Sequence, residues 1–208
     1  MANLWELTLK QGVKEIAEGN LRSEQWTEAL LESADNYENK IKAWASLDRE
    51  GALEAARISD DNRSSKENTG PLEGAPMGIK DIIDVQGLPC EANSPFLKGN
   101  VPKNDAFCVA GLRRAGAIIL GKTVTTQFAT GDPSQTRNPW NLAHSPGGSS
   151  SGSAAAVATG MAPSALGSQT GGSVLRPSAY CGIIGFKPSY GLISRGGVVE
   201  LSWSFDHI

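Results

Sequence analysis

Apolar and polar positions follow three different rhythms along this chain. Leu4, Trp5, Leu7, Leu9, Val13 and Ile16 recur at helical spacing, and Gly19-Asn20 supplies a stop, so a helix is predicted over 4–19. Ser23 suits the N-cap of a second helix carrying Trp26, Ala29, Leu30 and Tyr37. Ile41, Ala43 and Ala45 alternate with polar or bulky neighbours, which predicts a short strand over 41–47. Leu53, Ala56 and Arg57 belong to a third helix that fades into Ser59-Asp60-Asp61-Asn62-Arg63. The polar run from Asp60 to Gly70 reads as a surface loop.

The rhythm changes at Pro71. Met77, Ile79, Ile82, Ile83 and Val85 mark an extended segment with Lys80 inside it. If 77–85 is extended, Lys80 and Asp81 point to opposite faces, so Asp81 is not the counter-ion of Lys80. Prolines at 89, 95 and 102 make 89–104 a loop. Phe107, Val109, Ala110 and Leu112 predict a helix over 106–115 ended by Gly116, and Ala117-Ile118-Ile119-Leu120 reads as a buried strand. Thr123–Ala129 reads as the start of another helix, and Gly131–Pro146, with three prolines, as ordered loop. Beyond it follow a small-residue helix over 153–160, a strand over 165–170 and a short helix over 174–181 limited by Pro177. Gly182–Phe186 reads as another strand. Helix followed by buried strand, repeated, is α/β architecture.

Composition narrows the class. At 208 residues, 39% hydrophobic and 20% charged, the chain is of globular type and long enough for one ordinary domain. A net charge of -3 gives no reason to expect nucleic acid or an anionic membrane as partner, and the longest basic run is Arg113-Arg114. Cys90, Cys108 and Cys181 are odd in number and widely spaced, which argues against disulfides and zinc and for buried small hydrophobes. With no basic n-region before an apolar stretch and no apolar run of spanning length, a soluble cytoplasmic protein is expected.

The candidate chemistry lies between Ser145 and Ser173, where 15 of 29 residues are Gly or Ser. Such a composition suits a flexible linker. Here, however, the small residues form two compact clusters, Gly147-Gly148-Ser149-Ser150-Ser151-Gly152 and Gly171-Gly172-Ser173, separated by residues that look ordered. Gly147 and Gly152 have the spacing of a phosphate-binding loop, but Ser153 stands where its lysine belongs, and no G-x-G-x-x-G occurs. Acyl transfer fits better. Ser173 ends a predicted strand in a Gly-Gly turn, where main-chain N–H groups can converge on an oxyanion, although a simple helix N-cap is the plainer role. The base is either His144, for which no triad spacing exists, or a lysine. The G-x-S-x-G elbow is absent. A lysine must be shifted down by about three pH units, roughly 4 kcal/mol, and burial of Lys80 among Ile79, Ile82 and Ile83 pushes that way.

GAPMGIKDIIDV around Lys80, and SPGGSSSGSAAAVATGMAPSALGSQTGGSVLRPSAYCGIIGFKPSYGLISRGGVV from Ser145 onward, closely resemble the amidase signature family. The resemblance covers about residues 20–208 and is densest from Pro71 to Asp206. It implies an α/β fold with a mixed sheet flanked by helices, and one domain over 1–208 with a helical part over about 1–65 and a signature core over about 71–208. It also implies a Ser–cis-Ser–Lys unit in which Ser173 is the nucleophile, Ser149 the bridging serine after a cis bond from Gly148, and Lys80 the base. Thr170, Gly171, Gly172 and Ser173 would form the oxyanion hole through their N–H groups, and Ser150 would support them. Arg176 would face a substrate carboxylate or bond nearby carbonyls. No cofactor or metal is implied. The implied activity is hydrolysis of a small-molecule amide through a serine acyl-enzyme.

Two departures qualify that resemblance. Many members, including an amidotransferase subunit that makes Gln-tRNA, carry Asp before TGGS, whereas this chain has Gln169, which favours a stand-alone amidase over that subunit. Members are also about twice as long, so the chain is expected to be a first half whose end, Ser204–Ile208, falls inside a structural unit. Half a core leaves apolar faces and strand edges uncovered, which favours association, a homodimer included, or an inactive fragment that only binds.

Overall fold

The structure is a computed structural model that describes residues 3–65 and 70–208. Its centre is a four-stranded mixed sheet in the order β1-β3-β2-β4, formed by β1 (Trp44–Leu47), β2 (Pro76–Lys80), β3 (Ile118–Thr123) and β4 (Ala165–Leu166). β3 runs antiparallel to β1 and parallel to β2, and β4 runs parallel to β2, with Gly78 opposite Ala165 and Ile79 opposite Leu166. The helices are α1 (Leu9–Glu18), α2 (Ser23–Ile41), α3 (Arg49–Ser64), α4 (Phe107–Arg114), α5 (Ser151–Ala158) and α6 (Leu175–Cys181). The α/β mixed sheet flanked by helices is thus the expected architecture.

Strand alternation divides the core. Ile118 and Leu120 pack with Trp26, Leu30, Ala52, Ala56, Ala155 and Ala156 on one side, while Ile79 and Ile119 pack with Val109, Ile82, Ile83 and Ile208 on the other. The small side chains of α5 let that helix lie directly on the strands. A Cβ at Gly152 would stand 2.2 Å from the Ala43 carbonyl oxygen and 2.3 Å from Val124 N, so α5 meets, backbone to backbone, the residues just before β1 and just after β3.

Several boundaries differ from the sequence reading, each for a local reason. The first helix starts only at Leu9, because Thr8 and Gln11 form a reciprocal capping box; Leu4–Glu6 is a separate 3-10 turn. Ser23 is the first helical residue of α2, and Asp60 supplies the cap from a distance, accepting Ser23 N–H at 2.8 Å and Glu24 N–H at 3.1 Å. Asp60 and Asp61 both lie inside α3, so the expected surface loop starts later; its residues 66–69 lie outside the described part.

Ile41 ends α2 rather than opening a strand, and Lys42 turns the chain at φ 57. β2 stops at Lys80, since the N–H groups of Ile82 and Ile83 both turn back to the Lys80 carbonyl, at 2.8 and 3.0 Å. The helix expected from Thr123 is only a 3-10 turn at Gln127–Ala129, and the strand expected over 165–170 is Ala165–Leu166 alone. No strand forms over 182–186: Ile184 is 96% exposed and Phe186 is exposed as well. No helix among the described residues is long and apolar enough to cross a membrane.

Candidate active site

Lys80 closes β2, the second strand in from the β4 edge. Its side chain is fully buried, with 0% exposure. Three partners wait there. Nζ lies 2.7 Å from Ser149 Oγ, 2.8 Å from Ser168 Oγ and 3.5 Å from the Ser168 carbonyl oxygen. All three oxygens can accept from an ammonium, and the hydroxyls can equally donate to a neutral amine. Burial pulls the Lys80 amine down from its ordinary 10.5 to about 7, and the carboxylate of Asp206 partly opposes that fall.

Asp81 goes the other way, as alternation requires. It forms an ion pair with Lys122 of β3 at 3.1 Å, both side chains being almost entirely shielded from water. Lys122 also donates to the Pro89 carbonyl at 3.1 Å, and the Asp81 carboxylate accepts Glu91 N–H at 3.3 Å. Burial raises the Asp81 carboxyl above its usual range, against the opposing pull of Lys122. The neighbouring charges therefore stand on separate sides of the strand: one amine without an adjacent acid, one amine saturated by its own.

Ser149 and Ser150 sit in the turn that leads into α5. The Gly148–Ser149 peptide bond is cis, and Gly147 takes φ 78 just before it. Arg176, on α6, donates from Nε at 3.0 Å and from Nη2 at 2.8 Å to the carbonyl oxygen of Gly148. Of the two roles open to Arg176 from sequence, the geometry is that of a clamp on a nearby carbonyl. Ser150 ties the turn to the 165–173 segment. Its hydroxyl donates to the Ser168 carbonyl at 3.2 Å and accepts Ser168 N–H at 3.2 Å, and its own N–H donates to the Ser173 carbonyl at 3.1 Å.

Ser173 is 7% exposed and lies at the end of the Thr170-Gly171-Gly172 turn. The structure brings it to the serine cluster through that main-chain bond, while no hydrogen bond joins the hydroxyls of Ser149 and Ser173 among the described residues. The N–H groups of Thr170, Gly171, Gly172 and Ser173 also find no acceptor among the described residues, and the space off Gly171 is open to 4 Å. A row of unpaired donors beside a serine and open space can receive a carbonyl oxygen that gains charge.

Two residues that the sequence reading missed complete the arrangement, together with Gln169, which it singled out only as a departure from the family pattern. Ser168 is the second hydroxyl on Lys80. Gln169 accepts the N–H groups of Val174 and Leu175 through its side-chain oxygen, at 2.9 and 3.0 Å, closing a ring around the turn. Asp206 accepts the Thr170 hydroxyl on one oxygen and the N–H groups of Leu201 and Ser202, both at 2.9 Å, on the other. His144 is exposed on its loop, whereas the His207 main chain pairs in both directions with Gln169, at 2.9 and 2.8 Å. Cys90 and Cys181 are buried, and burial pushes their thiols up to about 12 and about 11; Cys108 is partly exposed, and all three are free.

Comparison with known proteins identifies the family. A family model described as Amidase matches residues 25–208. A glutamyl-tRNA(Gln) amidotransferase subunit of Roseiflexus castenholzii is 47% identical over 214 residues, which cover 100% of this chain and 44% of that protein. The corresponding protein of Streptomyces avermitilis is 42% identical over 98% of the chain and 42% of its own length. Among solved structures, native peptide amidase from Stenotrophomonas maltophilia superposes with a TM-score of 0.92 at 37% identity, covering 97% of this chain and 44% of that one. The glutamyl-tRNA(Gln) amidotransferase subunit from Thermotoga maritima gives 0.83 at 34% identity, covering 99% and 43%. The chain thus spans less than half the length of the relatives it matches. On the family match and these likenesses, the chain belongs to the amidase family.

Proposed function

We propose that this chain carries the nucleophile-bearing half of an enzyme that hydrolyses a carboxylic amide through a serine acyl-enzyme. The observation that carries the reading is the fully buried Lys80, held near neutrality and 2.7 Å from Ser149 Oγ beside the Ser173 turn. A lysine that is neutral near pH 7 and hydrogen-bonded to a hydroxyl is a competent base. In the proposed cycle, Ser173 Oγ attacks the amide carbonyl carbon. Its proton passes to Ser149 Oγ as the Ser149 proton passes to Lys80 Nζ. The charged oxygen settles on the N–H groups of Thr170, Gly171, Gly172 and Ser173. The tetrahedral centre then expels the amine or ammonia, which takes the proton back along the same path, and water repeats the sequence to release the acid and free Ser173. Closing of the Ser149 to Ser173 contact on substrate binding is part of this proposal.

The 47% identity to an amidotransferase component over the full chain supports a second reading, in which the same serine releases ammonia for transfer within a complex. A fluorophosphonate probe on the purified chain, beside its Ser173→Ala variant, tests what the two readings share. Labelling of the parent alone is expected; equal labelling of both rejects the site. Ammonia-dependent transfer to a charged tRNA then separates the readings. The proposed setting is the cytoplasm, which keeps free thiols reduced. Exposed Ile184, Phe186, Leu192 and Trp203 support self-association, with a homodimer by size-exclusion chromatography as the expected state.

A further inference from the structure

The segment 198–208 has no part in the cycle above, yet it is joined to the nucleophile turn at several points. Gln169 and His207 exchange both main-chain hydrogen bonds, as an isolated antiparallel bridge. One residue further on each side, the Thr170 hydroxyl donates to the Asp206 carboxylate. The other carboxylate oxygen is held by two N–H groups, those of Leu201 and Ser202, so the side chain cannot swing away without orphaning three donors. A cavity of about 250 Å³ is lined by Ser168, Thr170, Arg195, Glu200, Asp206 and His207, among others. Ser168, on its wall, is the residue that holds Lys80 Nζ at 2.8 Å.

We propose that Asp206 is a positioning residue for this site, fixing the Thr170 end of the nucleophile turn and placing a negative charge on the cavity wall it shares with Ser168, the partner of Lys80. The proposal rests on the amidase reading for the roles of Lys80 and Ser173. Its geometry stands without that reading. The other groups around Lys80 leave this place to Asp206. Ser149 and Ser168 are neutral, and Asp81 lies across the strand, engaged with Lys122. Arg195 moderates the charge. Its guanidinium stands over the rings of Tyr190 and Trp203, at 5.2 and 5.4 Å, and lowers the Asp206 carboxyl, whereas Glu200 and His207 share the cavity wall. The lowering effects of the Thr170, Leu201, Ser202 and Arg195 contacts on Asp206 outweigh the opposing effect of its burial, so it is ionised wherever Lys80 titrates. By attraction alone it favours protonated Lys80, so the site works with an amine that is less acidic than burial would leave it.

The test reads the lysine directly. The chain is labelled with ¹³C at lysine Cε, the Lys80 signal is assigned with Lys80→Met, and its titration is followed by NMR in the parent, Asp206→Asn and Asp206→Ser. Both substitutions remove the charge and leave an oxygen within reach of Thr170, and circular dichroism identifies the folded variant to be used. The Lys80 midpoint is expected to fall by about half a pH unit or more in either. An unchanged or raised midpoint overturns the electrostatic role. Thr170→Val keeps the charge and removes the tether. It is expected to leave the midpoint in place while amide exchange at Gln169 and His207, whose N–H groups bond to each other's carbonyls beside the tether, quickens several-fold; unchanged exchange overturns the positioning role. Because neither readout needs a reactive serine, the outcome of fluorophosphonate labelling bears on the acyl-enzyme reading alone and leaves this result standing.

Discussion

The guanidinium of Arg176 holds the carbonyl oxygen of Gly148 with two donors, at 3.0 and 2.8 Å, and so fastens α6 to the residue immediately before Ser149. Charge-assisted bonds of this kind contribute about 1.5–3 kcal/mol each to the groups they orient. Arg176→Leu is therefore expected to lower the rate of fluorophosphonate labelling by about 10- to 100-fold. Arg176→Lys recovers only part, since a single ammonium does not reproduce the planar fork. In an active full-length relative carrying the equivalent change, acid-bearing and neutral amides are expected to suffer alike, and a loss confined to acid-bearing substrates counts against the clamp.

Lys80 gives a pH dependence with a definite sign. Its midpoint in the fold, about 7, lies below its ordinary 10.5, so between those values the unfolded chain holds the extra proton. Stability rises with pH across this window, and the penalty of burying the lysine is fully present below about 7, reaching on the order of 5 kcal/mol. Lys80→Met removes it. The parent is expected to gain on this variant between about pH 7 and about pH 10 in urea unfolding, and parallel curves would contradict a buried neutral amine. Labelling of Ser173 is expected to rise through the same midpoint as the base loses its proton.

The Asp81–Lys122 pair answers differently. Removing one partner leaves the other charge buried alone, so Lys122→Met is expected to destabilise the chain by about 3–5 kcal/mol. Asp81→Leu combined with Lys122→Met should restore most of that loss, because the cost lies in the orphaned charge rather than in the missing attraction. Denaturant midpoints of the two single variants and the double variant decide it.

Gln169 predicts a smaller effect. Its side-chain oxygen receives two N–H groups at the start of α6, and Gln169→Leu leaves both without that acceptor. A loss of about 1–3 kcal/mol is expected, with faster amide exchange at Val174 and Leu175. Exchange at those two positions equal to the parent's would show that the side chain closes no ring.

The candidate site was legible in the sequence where motif and chemistry coincide. Lys80 stands alone in an apolar strand, and Ser149 and Ser173 follow paired glycines; the fold places the first two in contact and the third one main-chain bond away. Ser168 and Asp206 were not legible. A serine five residues before Ser173 becomes a partner of Lys80 only once β4 lies beside β2, and a two-residue strand leaves too faint a pattern to foretell that pairing. Lys122 sat beyond the end of the apolar run that marked β3, and only its register against β2 puts it on the Asp81 side. Asp60 capping α2 across 37 residues is equally invisible to a local rule. The apolar run at 182–186 misled because hydrophobicity reports surface that needs cover, not the conformation that carries it.

The backbone contact at Gly152 bears on how such sites are recognised at all. A methyl group there meets the Ala43 carbonyl and Val124 N far inside contact distance, and neither neighbour is a side chain that can step aside. Any survey of tolerated substitutions in this chain should therefore rank Gly152 with Ser149 and Ser173, although it touches no proton in the proposed cycle. Intolerance and reactivity are separate signals here. Only a chemical probe, which glycine cannot answer and serine can, tells the pivot of the scaffold from the atom that reacts.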